Sequence, residues 1–159
     1  MKNNAGSPAV SGPVTRMLLS GFYTGYIPFA PGTFGSLAGL AIYLIPGFEK
    51  PYIILPAILL LAIFGYMKAG VFETQYGKKD PSQCTIDEVV GMWISLLFVP
   101  KQVLPVLVTF LIWRVCDIIK PFPARSSEKL GGAAGIMTDD IISALYSLLL
   151  IHAILFFYF

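Results

Sequence analysis

The sequence predicts an all-α fold: a polytopic helical bundle in a membrane, with about five short spans and an N-terminal interfacial or re-entrant helix. Three observations predict it. Hydrophobic residues make up 56% of the 159 residues, charged residues only 13%, and mean hydropathy is +0.75. An ordinary soluble chain is roughly a quarter charged, so about half the usual solvating groups are missing. The charges present sit between long uncharged runs, which prolines and glycines cut into helix-sized pieces. A water-soluble domain of this size has too little interior to hide so much apolar surface.

Taken in order, residues 1–13 are rich in Gly, Ser, Pro and Asn and are expected to form a flexible tail before a single membrane-embedded domain, residues 14–159. No small-residue cleavage site follows an apolar stretch there, so the tail does not read as a secretory signal. Met17 to Phe48 is uncharged but holds three prolines and six glycines, and it divides at Pro28 to Gly32. Val14 to Tyr26 becomes the interfacial or re-entrant helix, and Phe34 to Ile45 the first span. Pro51 to Met67 is the second. Val89 to Pro100, opening at Thr85, is the third. Val103 to Trp113 is the fourth, its helix continuing to Lys120. Ile141 to Phe159, reached from Thr138, is the fifth. Several runs fall short of the ~20 residues of a perpendicular span, so their charged ends lie at or within the interface.

With the N-terminus inside, nine basic residues face the cytoplasm: Lys2, Arg16, Lys68, Lys78, Lys79, Arg114, Lys120, Arg125 and Lys129. Only Lys50 and Lys101 lie outside. That bias predicts N-in, C-out. It also brings Asp80, Asp87, Glu88, Asp117, Asp139 and Asp140 to the cytoplasmic face and leaves Glu49 outside.

Several chemistries are excluded. Net charge is +2, too balanced for a nucleic-acid binder. Cys84 and Cys116 read as free core thiols, and neither is followed six residues later by arginine, as a cysteine-phosphatase loop requires. His152 is the one histidine, deep in an apolar run far from the acids. No Asp-x-Asp occurs, so a haloacid-type aspartyl-phosphate mechanism has no motif.

The acids remain. Thr85 and Glu88 have the spacing of a capping box, but Asp87 or Glu88 at the membrane boundary also suits a cation, and Gly91 one turn on admits a close neighbour. Thr138-Asp139-Asp140 repeats that arrangement before the last span, where adjacent carboxylates leading into an apolar run call for a counter-cation. Asp117 lies near a helix C-terminus, where the macrodipole disfavours an anion. Its bland explanation is a pair with Arg114, three residues back. Arg114, Asp117 and Lys120 fall roughly along one face before Pro121 and Pro123 stop the helix. Gly32, Thr33, Gly35 and Ser36 either pack a helix, with Gly35 and Gly39 as G-x-x-x-G, or offer amides and hydroxyls to a phosphate. Spacing leaves both open. The Gly131–Gly135 stretch is likewise a linker or a surface for close ligand approach. An oxygen-rich site without imidazole favours Mg²⁺ over zinc.

Four blocks in this order resemble the bacterial phosphatidylglycerophosphatase A family of membrane lipid phosphatases. They are Pro31-Gly32-Thr33-Phe34-Gly35-Ser36-Leu37; Ile86-Asp87-Glu88-Val89-Val90-Gly91-Met92-Trp93-Ile94; Trp113-Arg114-Val115-Cys116-Asp117-Ile118-Ile119-Lys120-Pro121-Phe122-Pro123; and Gly135-Ile136-Met137-Thr138-Asp139-Asp140. The resemblance extends from about Leu18 to Tyr146, and four ordered blocks make it specific.

The resemblance implies a multi-pass, Mg²⁺-dependent enzyme of the bacterial cytoplasmic (inner) membrane, its active site facing the cytoplasm. The implied reaction removes the terminal phosphate of phosphatidylglycerophosphate, giving phosphatidylglycerol and inorganic phosphate. Asp87, Glu88, Asp117, Asp139 and Asp140 are then expected to hold one or two Mg²⁺ ions, one carboxylate serving as base. Arg114 and Lys120 are expected to bind the phosphate, and Thr33 and Ser36, with nearby amides, the phosphate or the glycerol. The expected partners are the lipid substrate and the membrane, with no nucleic acid and no protein partner. Two other classes also place acids at helix ends. A CDP-alcohol phosphotransferase-like enzyme would carry Asp-x-x-Asp-Gly-x-x-Ala-Arg, which is missing, and a small transporter would show mid-span charges or an inverted repeat.

Overall fold

Proline opens three of the helices. Pro13, Pro31 and Pro51 each take the first helical position, where the missing N–H is no loss and φ is preset. They begin α1 (Pro13–Leu19), α2 (Pro31–Tyr43) and α3 (Pro51–Lys68). A computed structural model supplies these positions and describes residues 12–158. The expected tail therefore lies outside the described residues, apart from its last two. α2 begins three residues before the expected Phe34, because Pro31 starts this helix rather than interrupting one. Thr33 and Ser36 thus fall within its first two turns.

The expected helix over Val14–Tyr26 is shorter. α1 stops at Leu19, Gly21, Phe22 and Tyr23 take positive φ, and a 3₁₀ turn covers Thr24–Tyr26. Ser20 explains the stop: its hydroxyl donates to the Arg16 carbonyl (2.7 Å) and accepts the Tyr23 N–H (3.1 Å). Gly25 then lies flat on the segment before α5, where a Cβ would stand 2.1 Å from the Gln83 carbonyl oxygen.

After α3 come α4 (Gly70–Tyr76), α5 (Ile86–Ser95), α6 (Val103–Ile119), α7 (Ala124–Ser127), a 3₁₀ turn over Glu128–Leu130, and α8 (Gly132–Tyr158). α6 matches its expected course, ending at Lys120 in the left-handed conformation. α8 begins six residues before Thr138, correcting the expected fifth span. Gly131 and Gly132 turn the chain with positive φ, and Ala133 and Ala134 carry the helix forward.

α5 is the centre of the bundle. It packs against α2, α3, α6 and α8, and every residue in it except Glu88 is buried. Gly35 and Gly39 let α2 lie on α5, and Trp93 Nε1 donates to the Gly39 carbonyl (2.8 Å). Packing is therefore the role of the G-x-x-x-G. Contacts also set helix direction. Ser36 near the start of α2 meets Glu88 at the start of α5, and Tyr43 at the end of α2 reaches Val99 beyond the end of α5. Tyr66, near the end of α3, bonds Thr138 on the early part of α8. Thus α2, α5 and α8 set out from one end of the bundle, and α3 and α6 run back towards it.

Among the described residues, two stretches are long and apolar enough to cross a membrane, Pro51–Tyr76 and Gly132–Phe157. α5 is different. Its ten residues rise about 15 Å, half of a ~30 Å hydrocarbon core, so the expected third span is a half-length helix enclosed by its neighbours. The outward faces of α3, α6 and α8 expose Leu59, Leu60, Leu104, Leu111, Leu149 and Phe156. Water penalises such faces and lipid does not.

Candidate active site

The end at which α2, α5 and α8 begin and α6 finishes gathers the acids. Asp87 and Glu88 come from the first turn of α5, Asp117 from the last turn of α6, and Asp139 and Asp140 from α8. Asp87, Asp117, Asp139 and Asp140 are all buried, and Glu88 nearly so. One carboxylate oxygen from each of Glu88, Asp117 and Asp140 lies within 4.8 Å of the other two.

Two cations enter the cluster from α6. Arg114 pairs with Asp117 at 3.1 Å and, through the same Nη1, with Glu88. Lys120 bonds Asp139 and reaches Glu128 at 2.9 Å. Burial alone would pull the Lys120 ammonium down, but these two carboxylates outweigh it and hold its pKa above the ordinary range.

The expected capping box does not form. The Thr85 side chain makes no cap bond to α5, and its hydroxyl lies 3.3 Å from that of Thr24. Glu88 turns away from the helix start to Ser36 and Arg114, because a charge-assisted pair in a buried setting outweighs an amide cap. Thr138 is no cap either. It lies inside α8 and shares a hydrogen bond with Tyr66 (2.8 Å). Asp139 and Asp140 therefore stand two turns into a helix, beyond the reach of its dipole.

Ser36 departs from its expected role. Its hydroxyl donates to Glu88 Oε2 (3.1 Å) and accepts from Trp113 Nε1 (2.9 Å) and Arg114 Nη1 (3.2 Å). One donor and two lone pairs are then filled, so no capacity is left for a phosphate. Ser36 instead fixes Glu88 and Arg114 relative to each other. Thr33 stays at the half-buried start of α2. Gly91 admits a close neighbour as expected, the Trp113 ring, whose Cη2 lies 2.3 Å from where a Cβ would be.

A cleft of about 240 Å³ opens beside the cluster. Its walls include Glu73, Lys79, Asp80, Glu128 and Asp139. Glu73 and Glu128 did not stand out in the sequence. Glu73 accepts the N–H groups of Asp80 and Gly132, both at 3.0 Å, tying the 77–81 segment to the start of α8. Each is a charged residue in a polar stretch, and only its partner distinguishes it from a solvated glutamate.

The donor set fits a hard cation. Asp87 Oδ1, Asp139 Oδ1 and Asp140 Oδ2 are buried with no hydrogen-bond partner. Orphaned anionic oxygens are costly in a dry interior, and an oxygen-only donor set suits Mg²⁺.

Comparison with known proteins settles the lineage. The family described as Phosphatidylglycerophosphatase A matches residues 17–155. The chain belongs to this family. It is 36% identical over 144 residues to a phosphatidylglycerophosphatase A of Haemophilus influenzae, covering 87% of each chain. It is 33% identical over 135 residues to the Escherichia coli protein of that name, covering 83% of this chain and 78% of the other. A Bacteroides thetaiotaomicron protein, provisionally named a phosphatidylinositol-3-phosphatase, is 36% identical over 140 residues, covering 83% of this chain and 87% of its own. No solved structure matches the chain.

Proposed function

We propose that the chain hydrolyses the terminal phosphomonoester of phosphatidylglycerophosphate, with Mg²⁺, at the cytoplasmic face of a bacterial inner membrane. The observation that carries this is the charge balance of the site. Five buried or nearly buried carboxylates face two cations, Arg114 and Lys120. Left so, the site would repel a dianionic phosphate. Glu88, Asp117 and Asp140 are the residues that would hold the ion. When bound, it supplies positive charge and Lewis acidity to the phosphoryl oxygens.

The chain's own groups do the rest. Arg114 and Lys120 present positive charge to the phosphate and offset the charge that builds on it during transfer. Asp139 suits the base. Lys120 holds its Oδ2 while the buried Oδ1 has no partner, and it is the one acid of the five on the wall of the cleft. Oδ1 would accept the proton of a water entering from there. Ser36 and Trp113 keep Arg114 from drifting. The cytoplasmic placement rests on the nine-to-two basic bias. Lys101 and Glu49 support it by pairing at 2.8 Å near the end of α2, away from the acids.

The Bacteroides relative favours a second reading of the headgroup, an inositol phosphomonoester. Purified protein given phosphatidylglycerophosphate and phosphatidylinositol 3-phosphate in matched micelles separates the two. The expected result is faster phosphate release from the glycerol lipid. Faster release from the inositol lipid would replace the substrate, and release from neither would remove the phosphatase assignment.

A further inference from the structure

Four acids line the cleft beside the cluster: Glu73, Asp80, Glu128 and Asp139. Three of them are committed. Glu73 gives one oxygen to the Asp80 N–H and the other to the Gly132 N–H. Glu128 and Asp139 both pair with Lys120, which favours their ionised forms. Asp80 differs. Among the described residues its carboxyl group makes no hydrogen bond and no ion pair, and Glu73 holds it by the backbone N–H alone. An acid without a cation partner is the easiest of the four to keep protonated. Enclosure by the cleft raises its pKa against the pull of Lys120, and Glu128, Glu73 and Asp117 add to the rise. The backbone is unusual too. Asp80 has φ +45°, in the left-handed region, and it precedes Pro81, which restricts it further. Glu73, anchored to the start of α8, holds it there. Strained residues held by their surroundings collect at functional sites.

We propose that Asp80 is the general acid of the reaction, giving its proton to the departing glycerol oxygen from the cleft wall it shares with Asp139. The assignment rests on the lipid phosphatase function proposed above. That reaction expels an alkoxide, a poor leaving group, so a proton delivered to it lowers the barrier. Lys120 also carries a proton at this end of the bundle, but its two carboxylates hold that proton too tightly to release. The step balances. The water oxygen bonds to phosphorus as Asp139 Oδ1 takes one of its protons. The bond from phosphorus to the glycerol oxygen breaks, with its electron pair on that oxygen. The Asp80 proton completes the hydroxyl of the product lipid, leaving Asp80 ionised and Asp139 protonated. Proton exchange with solvent resets both.

The test is leaving-group dependence. Wild type and Asp80→Asn are compared on phosphatidylglycerophosphate and on an aryl analogue, the same diacyl lipid with its phosphate carried on a nitrophenol headgroup, whose oxygen departs without a proton. Asparagine keeps the side-chain shape and tolerates the left-handed backbone. On the glycerol lipid, kcat should fall about 10²–10³-fold with KM changed less than about threefold. On the aryl lipid, kcat should fall less than about threefold, which also shows that the variant is folded. Lys79→Gln, on the same wall, should leave the ratio of the two rates at its wild-type value. The heavy-oxygen isotope effect at the bridging ester oxygen of the glycerol lipid gives an independent reading. It should be larger in Asp80→Asn than in Asp117→Asn, which is slowed but keeps the acid. Equal losses on both lipids, loss on neither, or matching isotope effects would overturn the assignment. Wild-type protein that releases phosphate from neither lipid would instead overturn the phosphatase function, and the general acid with it.

Discussion

Gly32 and Glu88 face each other across the α2–α5 seam, so closely that a Cβ on residue 32 would stand 2.0 Å from Glu88 Oε1. The glycine is thus a condition for the carboxylate's position. Gly32→Ala should push that carboxylate away from Ser36 and Arg114. Because the displaced atom is the end of a flexible side chain, the fold should survive. We expect phosphate release to fall about a hundredfold, with a thermal midpoint in detergent close to wild type. Near-normal activity would show that the position of Glu88 is unimportant.

Gly91 makes the opposite case. Its missing Cβ leaves room for the Trp113 ring, which is fully buried and bonded to Ser36. A ring in a packed interior cannot swing aside, so Gly91→Ala should destabilise the protein by about 1–3 kcal/mol or more. A lowered thermal midpoint checks this, and an unchanged one would mean that α5 and α6 can shift apart freely.

Asp117→Asn keeps the side-chain shape and removes the charge. Arg114 retains Glu88 as partner, so stability should fall by less than the roughly 3–5 kcal/mol of a fully broken buried pair. Turnover should drop by about a thousandfold or more, the scale of losing one charge-stabilising group. An unfolded variant would make Asp117 structural, and an active one would remove it from the site.

Excess EDTA should abolish phosphate release and Mg²⁺ should restore it. Binding to folded protein alone also raises stability by mass action, so Mg²⁺ should raise the thermal midpoint of wild type. Asp140→Asn, which removes one of the three clustered carboxylates, should blunt that rise. Full activity in EDTA would exclude the metal.

Sidedness can be read with single cysteines replacing Lys50, Ser82 and Ser126, all exposed, in a chain whose Cys84 and Cys116 are replaced. An impermeant thiol reagent on intact cells should label position 50 alone. Labelling of 82 and 126 but not 50 would put the acids outside.

Much of this protein was legible locally. Sparse charge called for lipid, proline and glycine divided the apolar runs, and Val103 to Ile119 is a helix because seventeen compatible residues stand between a polar start and the Lys120-Pro121 stop. The four motif blocks carried the family and every carboxylate in the cluster. What the tertiary structure alone decided is who holds whom. Thr85 and Glu88 have capping-box spacing, yet Glu88 belongs to Arg114; Thr138 looks like a helix start, yet it lies inside α8 beside Tyr66. Ser36, seemingly free for substrate, is saturated by Trp113, Arg114 and Glu88. The physical reason is the same in each case. Capping and dipole preferences are contributions of about 1 kcal/mol from neighbouring residues, whereas a buried charge that lacks a partner costs several. Partners 26 or 78 residues away therefore win, and no local pattern names them.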